Sequence, residues 1–299
     1  MKRILSMLAI VAIAGAAWAG DPEFTYEIPH IPDELVPDVD GDLNDPVWAN
    51  YPMEFAIVHP GGDISLANGR GIGSVAPDAS NYSVTIKWGW NDTTNKLYFA
   101  IDEFDDVYYV DTPAEWWTDD VWQIYTDAKL WNDWYQYNAA IAEEEWGSHS
   151  QQWEFTQGEH WWGTETNINL ENPKTNQVPT QEPWAKVAFT NPPSNGDQNV
   201  NLKYEIYLTV WEFIDPTDNA NSIPWDMEEG QTMGLLLSRY EDDEGGTTLN
   251  VEWQTAGAYE VQNSSTFSEV FLLEPGAAEW PEAPTAVESS TWGWVKSLF

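Results

Sequence analysis

The chain has 299 residues, and its 50 acidic side chains against 11 Lys and Arg give a formal net charge of −39. Such a charge repels phosphate backbones and anionic lipids, so nucleic acids and membrane surfaces are disfavoured as partners. The 20 Trp, 13 Tyr and 10 Phe argue against disorder, because acidic disordered chains are poor in aromatic residues. The absence of cysteine excludes disulfides and thiolate chemistry.

The beginning of the chain has the pattern of a signal peptide over residues 1–19. Lys2 and Arg3 precede a short apolar run, which ends in the small-residue cleavage box Ala-Trp-Ala at 17–19. The run is shorter than the roughly 20 apolar residues that cross a bilayer. We therefore expect cleavage near Gly20 and export to the periplasm, the cell surface or the medium, without membrane insertion.

Composition divides the rest of the chain into three parts. Residues 20–37 are rich in proline and acidic residues and predict an extended N-terminal segment, and residues 38–274 predict the folded domain. Residues 275–299 consist of a linker rich in Pro, Ala, Glu and Ser, followed by the short apolar tail STWGWVKSLF. The tail either engages a sorting or anchoring system or packs on the domain.

Apolar residues in the domain alternate with polar ones, which is the period of a half-buried β-strand. Residues 82–90 and 96–101 alternate on either side of the turn sequence NDTTN and predict a hairpin. A second hairpin is predicted around the loop EDDEGGTT, and only 138–146 could form a short helix. The remaining strand candidates are 202–210, 233–240, 249–254 and 265–274. This pattern predicts an all-β fold, a two-sheet antiparallel β-sandwich of immunoglobulin or jelly-roll type with a Trp-rich insertion.

The tryptophans fall into two groups. Trp88, Trp90 and Trp253 share the alternation of their neighbours, which predicts that they lie in the core. The others lie in a polar stretch without such alternation and are candidates to line a surface groove: Trp131, Trp134, Trp146, Trp153, Trp161 and Trp162.

The sequence lacks the common catalytic motifs, namely a nucleophile elbow, a phosphate-binding loop and HExxH, and its histidines have no metal-ligand spacing. We therefore expect no catalysis by this chain. Flat indole rings cover the C–H faces of a sugar, while amide and carboxylate groups bind the hydroxyls, so the aromatic excess favours carbohydrate binding.

Several segments, in order along the chain, carry a family resemblance. They are VDGDLNDPVWAN (39–50), IKWGWNDTTNKLYFAIDEFDD (86–106), DDVWQIYTD (119–127), KYEIYL (203–208), GLLLSRYEDDEG (234–245), VEW (251–253) and TFSEVFLLE (266–274). Together they resemble the motifs of the family-9 carbohydrate-binding modules, which are relatives of the DOMON-like β-sandwiches. The resemblance implies a secreted, non-catalytic glycan-binding protein, which could act as an accessory to glycoside hydrolases.

The resemblance also implies which residues bind the sugar. Trp117 matches the family's first aromatic wall, and Gln123 stands where the family has a glutamate. Gln136 and Asn138 match an Arg and Asn pair on the next strand, and Tyr259 is the aromatic nearest to the second wall. If Gln123 faces the ligand, its neighbour Trp122 must face the core, because successive side chains of a strand point to opposite sides.

Calcium is the cofactor that the resemblance implies, because family members bind it as a structural ion. Asp105, with Asp106 beside it, matches an aspartate that follows the family's second hairpin strand. The spacing of Asp40, Asp42 and Asp45 also resembles a calcium loop, and a further acidic loop contains Glu241, Asp242, Asp243 and Glu244. Solvated turns are the alternative explanation for each of these segments.

Two other functions stay open from the sequence. Some DOMON-like domains hold haem for electron transfer through Met, His or Lys; this chain offers Met53, Met227, Met233, His30, His59, His149 and His160. The third possibility is a structural or adhesive protein of the cell surface that binds no small ligand.

Overall fold

A computed structural model of the chain describes residues 21–51, 57–58, 80, 82–111, 119–129, 148–155, 168–170, 182–190, 192–215, 218–246, 251–254, 264, 267–278 and 280. Two β-sheets that pack face to face make up most of this structure. The all-β sandwich predicted from the sequence is thus confirmed.

One sheet has five strands within the described residues, in the order β2-β3-β4-β9-β8. The strands are β2 (Ile57–Val58), β3 (Tyr82–Asn91), β4 (Lys96–Tyr108), β8 (Ala185–Thr190) and β9 (Asp197–Leu208). All neighbours are antiparallel. The predicted hairpin around NDTTN is the β3–β4 pair, in which Asn91 lies opposite Lys96.

The second sheet has seven strands among the described residues, in the order β1-β14-β12-β5-β6-β7, with β13 paired to β12. Its strands are β1 (Asp21–Ile28), β5 (Val121–Asp127), β6 (Ser150–Phe155), β7 (Ile168–Leu170), β12 (Thr232–Glu241), β13 (Val251–Gln254) and β14 (Ser268–Leu272). Strand β1 runs parallel to β14, and the other pairs are antiparallel. The predicted second hairpin is the β12–β13 pair.

Small elements complete the description. β10 (Trp211–Phe213) and β11 (Ile223–Pro224) form a two-stranded ribbon. Among the described residues, helical segments include α1 (Pro46–Ala49) and two 3₁₀ turns, Asp33–Leu35 and Asn219–Asn221. In the part of the chain that is described, no helix has the length and apolar character needed to cross a membrane.

The main core lies between the sheets and follows from the alternation of the sequence. On β4, Leu97, Phe99 and Ile101 point inward and are fully buried. Trp88 and Trp90 on β3 are also buried, as predicted; Trp253 lies in β13. Burying one such side chain stabilises the fold by roughly 1.5–3 kcal/mol. Strands β5, β6, β9 and β12 also contribute side chains to this core: Trp122, Ile124, Trp153, Phe155, Leu202, Tyr204, Ile206, Met233, Leu235 and Leu237.

Trp153 corrects one expectation from the sequence. It lies in β6, is fully buried and belongs to the core between the sheets, so it does not line a surface groove. The alternation was missed because it is limited to Trp153 and Phe155; Gln151, the preceding residue on the same face of β6, is polar although it is buried. The other five tryptophans of that group lie outside the described residues.

A second apolar cluster covers the outer face of the five-stranded sheet. Trp48 and its neighbours in residues 31–51 pack on Tyr98 and Ala100 of β4. Glu205 of β9 fixes this covering segment, because its carboxylate accepts hydrogen bonds from Trp48 Nε1 at 2.7 Å, Asp40 N at 2.8 Å and Gly41 N at 3.1 Å. The conspicuous acidic opening motif is therefore anchored to the sheet.

Gly41 is required at this anchor for two reasons. Its φ of +88° is disfavoured for side chains with a Cβ atom, and a Cβ placed there would lie 2.9 Å from the backbone of Phe189.

Residues on both sides of the predicted domain contact the sandwich. The extended N-terminal segment contributes strand β1, which pairs with β14. In the predicted linker, Trp280 donates a hydrogen bond from Nε1 to the carbonyl oxygen of His30 at 2.7 Å, and its ring packs edge-on against Tyr51. The apolar C-terminal tail and the predicted helix at 138–146 lie outside the described residues.

Candidate functional site

A row of polar side chains crosses the outer face of the seven-stranded sheet. Gln123 of β5 lies in register between Glu154 of β6 and Ser238 of β12. Tyr125 and Gln152 form the next pair on the same face, two residues along β5 and β6. All five side chains are buried, although they are not part of the core between the sheets. We call these five residues the polar row.

The register of β5 explains why the polar row faces outward. Trp122 and Ile124 pack into the core between the sheets, so Gln123 and Tyr125 must point to the opposite face. The prediction that Trp122 is a core residue when Gln123 faces outward is confirmed.

Two amide groups of the polar row leave buried polar atoms without partners. The Gln123 side-chain oxygen accepts a hydrogen bond from the Tyr125 hydroxyl, but its Nε2 finds no partner among the described residues. The Oε1 of Gln152 likewise finds none there. An unsatisfied buried polar group costs about 1–3 kcal/mol. The Tyr125 ring itself is held by Phe267, with ring centroids 5.6 Å apart.

Of the five predicted sugar-binding residues, Gln123 is the one whose surroundings the structure describes. Trp117, Gln136, Asn138 and Tyr259 lie outside the described residues and stay predictions. Sequence reasoning missed the remaining members of the polar row, although the alternation in β12 would have placed Ser238 on the same outer face as Gln123.

A charged cluster lies in the space between the sheets, on the opposite face of the seven-stranded sheet from the polar row. Arg239 is fully buried and its Nη1 donates to Asp120 Oδ1 at 3.0 Å. Its Nη2 lies 3.2 Å from Asp105 Oδ2 and 3.5 Å from Glu103 Oε1. Together with buried Glu241, four carboxylates thus surround or adjoin one guanidinium.

The alternation that builds the core also carries these charged residues inward. Glu103 and Asp105 continue the inward series of β4 after Ile101, and Arg239 and Glu241 continue that of β12 after Leu237. This continuation is the sequence signal by which Glu103 and Arg239, which we did not predict as site residues, could have been found.

Neutral donors complete the surroundings of Glu103. The Nε1 of Trp122 donates to Oε2 of Glu103 at 2.5 Å, and the Tyr82 hydroxyl donates to the same oxygen at 3.0 Å. Burial, followed by the charge of Glu103, raises the pKa of Tyr82 well above its usual value, so the phenol stays a donor.

Two groups of carboxylates in this region have oxygens within 4.8 Å of one another. The first consists of Asp105, Asp106 and Glu241, and the second of Asp111, Asp119 and Asp242. The first group joins Asp105 and Asp106, which we predicted as calcium ligands, to the acidic loop that we considered separately. Carboxylate oxygens are the ligands that calcium prefers, so either arrangement suits a hard divalent cation.

Burial disfavours the charged forms of these carboxylates. It raises the pKa of Glu241 to about 9 and that of Asp105 to about 8, in both cases as the largest effect, with neighbouring carboxylates adding to it. It also raises the pKa of Asp242 to about 6. Both oxygens of Glu241 find no hydrogen-bond partner in the described part of the chain.

The other predicted calcium ligands lie elsewhere. Asp40 and Asp42 accept hydrogen bonds from backbone N–H groups two residues on, and Asp45 Oδ2 accepts one from Asp38 N. Among the described residues, none of the three belongs to a group of carboxylates close enough to share an ion.

The candidate haem ligands within the described residues have other surroundings. Met227 and Met233 are buried in the core between the sheets. His30 Nε2 lies 2.9 Å from Asp92 Oδ1, and His149 Nδ1 lies 2.9 Å from the carbonyl oxygen of Glu212. Met53, His59 and His160 are outside the described residues.

Comparison with known proteins gives a likeness of fold. No family model and no curated protein matches the sequence. Two solved structures of a family-9 carbohydrate-binding module from Caldicellulosiruptor kristjanssonii are similar, one in complex with cellotriose and one with glucose. They are 13% and 14% identical to this chain, with TM-scores of 0.52 and 0.53, and the matches cover 87% and 86% of this chain and 100% of each module. The chain therefore has the β-sandwich fold of the family-9 carbohydrate-binding modules.

Proposed function

We propose that this protein is an exported, non-catalytic carbohydrate-binding protein whose sugar site lies on the outer face of the seven-stranded sheet. The observation that carries the proposal is the polar row, in which Gln123 Nε2 and Gln152 Oε1 are buried without partners among the described residues. The first is a donor and the second an acceptor. A sugar hydroxyl both donates and accepts, so one pyranose ring could satisfy both atoms.

The proposed ligand is a neutral sugar unit held by hydrogen bonds and stacking. Gln123 lacks the charge of the glutamate that it replaces, so its bonds to hydroxyls are weaker than charge-assisted ones. Trp117 supplies the first stacking surface and Tyr259 the second, while Gln136 and Asn138 bind further hydroxyls. One aromatic stack is worth about 1 kcal/mol beyond the area that it buries. We therefore expect dissociation constants of roughly micromolar to millimolar order.

The similar solved structures support the proposal without deciding it. Those modules are in complex with cellotriose and glucose, which makes glucose and short cello-oligosaccharides the first ligands to test.

A bound calcium ion is the second part of the proposal. Asp105, Asp106 and Glu241 would hold it, at the charged cluster between the sheets. The two unpartnered oxygens of the fully buried Glu241 suit this role, because a divalent cation would balance a carboxylate that protein donors do not reach. The ion would stabilise the sandwich and would take no part in sugar chemistry.

A glycan array followed by titration calorimetry tests the sugar site. The wild-type protein should bind a subset of glycans, and Gln123→Ala should weaken that binding at least tenfold. Gln198→Ala is the matched control, because Gln198 is exposed on the five-stranded sheet and should have no effect. Equal glycan binding by the two variants would refute the proposal. So would the absence of binding to every glycan up to about 10 mM, which is weaker than the affinity expected for such a site.

A further inference from the structure

We propose that the glycan bound by this protein carries a free amino group, and that Glu269 of β14 and Asp127 of β5 bind its ammonium form beside the polar row. The inference rests on the proposed sugar site, because the polar row would hold one neutral sugar unit and the two carboxylates would hold the amine of the next. The ligand class is therefore an oligosaccharide that contains a hexosamine with an unsubstituted amine.

Strand register places the two carboxylates on the outer face of the seven-stranded sheet, on either side of a glycine. Gly234 of β12 lies opposite Glu269 on one side and Asp127 on the other, and Ser150 of β6 lies opposite Asp127. Leu235 packs into the core between the sheets, so Gly234 and the residues opposite to it face outward. Since adjacent strands are roughly 4.8 Å apart, the Cα atoms of the two acids lie about 10 Å apart. The strand between them contributes no side chain there. We call Glu269, Gly234, Asp127 and Ser150 the acidic row.

Buried polar atoms of the acidic row point to a ligand. Glu269 is 7% exposed and Ser150 is 1% exposed. Oε1 of Glu269 and Oγ of Ser150 are buried, and neither finds a hydrogen-bond partner among the described residues. A buried carboxylate oxygen without a donor is costly. A ligand that brings a donor to Glu269 would remove that cost.

The charge of this face favours an ammonium over a hydroxyl group as that donor. The outward positions of β5, β6, β12 and β14 include the carboxylates of Glu154, Asp127 and Glu269, and they include no Lys or Arg. An ammonium has three donors, and its hydrogen bonds to carboxylates are charge-assisted. Burial raises the pKa of Glu269, and a bound cation would favour the charged form of this carboxyl.

A cavity beside the acidic row leaves room for the rest of the sugar chain. Phe271 is the next outward residue of β14 after Glu269, because its neighbours in the strand lie in the core between the sheets. It lines a cavity of about 360 Å³ together with Glu27, Glu229 and Glu274. An aromatic wall with carboxylates around it suits a sugar ring that carries a cation. The exposed acids also attract a cationic glycan to this edge of the sheet.

Titration calorimetry with two matched glycans tests the proposal. Short chitosan oligosaccharides carry free amines, and their N-acetylated counterparts of the same length are neutral. The wild type should bind the amine form at least tenfold more tightly, which is the order of one charge-assisted hydrogen bond. The titrations are repeated at about 1 M salt, where the Debye length is about 3 Å. Attraction to exposed acids is then screened, whereas a preference due to buried carboxylates should persist.

Variants of the acidic row locate the preference. Glu269→Gln should lose most of it, and Asp127→Asn should reduce it, since an asparagine oxygen can still accept the hydrogen bond from Lys129 N. Glu34→Gln is the matched control, because Glu34 is an exposed acid of the segment that covers the five-stranded sheet. It removes the same charge and should keep the preference. Circular dichroism checks that each variant is folded.

Two results would overturn the inference. One is equal affinity of the wild type for the amine and N-acetylated forms, and the other is an equal loss of preference in Glu269→Gln and Glu34→Gln. If neutral glycans still bind and Gln123→Ala weakens that binding, the sugar site stands and only the amine site is wrong. If neither neutral nor amino glycans bind, both proposals are refuted.

Discussion

The indole Nε1 of Trp122 donates a hydrogen bond to Oε2 of Glu103 across the space between the two sheets, at 2.5 Å. Trp122 is the immediate neighbour of Gln123, and Glu103 is a partner of Arg239. The strand that carries the proposed sugar ligand is thus fixed directly to the charged cluster. We therefore expect a substitution that disrupts the charged cluster to displace Gln123 as well.

Replacing Trp122 tests this connection. Trp122→Phe keeps most of the apolar volume but removes a donor from a buried carboxylate, which should cost about 1–3 kcal/mol of unfolding free energy. Trp90→Phe is the control, because Trp90 Nε1 donates to the neutral carbonyl oxygen of Leu273 at 3.1 Å. Urea unfolding should show a larger loss for Trp122→Phe. Equal losses would mean that the bond to Glu103 has no special weight.

Arg239 should be the most sensitive charged residue of the fold. Arg239→Met leaves Glu103, Asp105 and Asp120 buried without their cation, and breaking a buried ion pair from one side costs about 3–5 kcal/mol. Lys203→Met provides the comparison, because Lys203 pairs with Asp102 at 3.9 Å on the surface and such pairs contribute about 0–1 kcal/mol. Denaturant midpoints measured side by side decide between them; similar midpoints would contradict the importance of the cluster.

Trp117 is the residue to mutate first for sugar binding. Trp117→Ala should abolish glycan binding on the array, because it removes the proposed stacking surface, while the melting temperature stays close to that of the wild type. A strongly lowered melting temperature would show instead that Trp117 is a core residue.

Calcium should have opposite effects on two forms of the protein. At a calcium concentration of 100 times the dissociation constant, the ion should add about 2.7 kcal/mol to the stability of the wild type. Glu241→Gln removes a buried carboxylate, so in EDTA the variant should melt at or above the wild-type temperature. With calcium present it should melt below the wild type, since a ligand is lost. If the order of the two melting temperatures does not reverse when calcium is added, Glu241 is not a calcium ligand.

The contribution of Glu205 to the free energy of unfolding should depend on pH. Burial is the largest influence on this carboxyl and raises its pKa above the ordinary 4.5. The folded state therefore holds a proton that the unfolded chain has released, so the contribution of Glu205 to stability falls as pH rises from about 4.5 through the folded pKa. Glu205→Gln cannot lose that proton and should gain stability relative to the wild type over the same range.

Urea unfolding at pH 4 and pH 7 measures this difference. The two proteins should be similar in stability at pH 4, and Glu205→Gln should be the more stable at pH 7. A variant that is less stable at pH 7 would show that the bonds from Trp48, Asp40 and Gly41 to the carboxylate outweigh its burial.

The alternation of apolar and polar residues was enough to predict the main strands and the faces that they bury. Side chains of a strand point to the two faces of the sheet in turn, so the alternation of apolar and polar residues can be recognised without knowing the fold. Over 82–90 and 96–101 it predicted the hairpin and the burial of Trp88 and Trp90, and it also predicted the strand at 202–210. The same period places Trp122 inward and Gln123 outward. The alternation did not identify β6, because most side chains of that strand are polar although all of them are buried.

Which charged groups contact one another could not be predicted from the sequence, because it depends on how the two sheets pack. Arg239 and Asp105 are 134 positions apart, and their contact depends on the pairing of strands from both sheets. Many acidic residues in the chain could have formed such a cluster, since the 50 Asp and Glu give no local pattern that selects among them. The packing of the two sheets selected these few, because it brings Arg239 of β12 against Glu103 and Asp105 of β4.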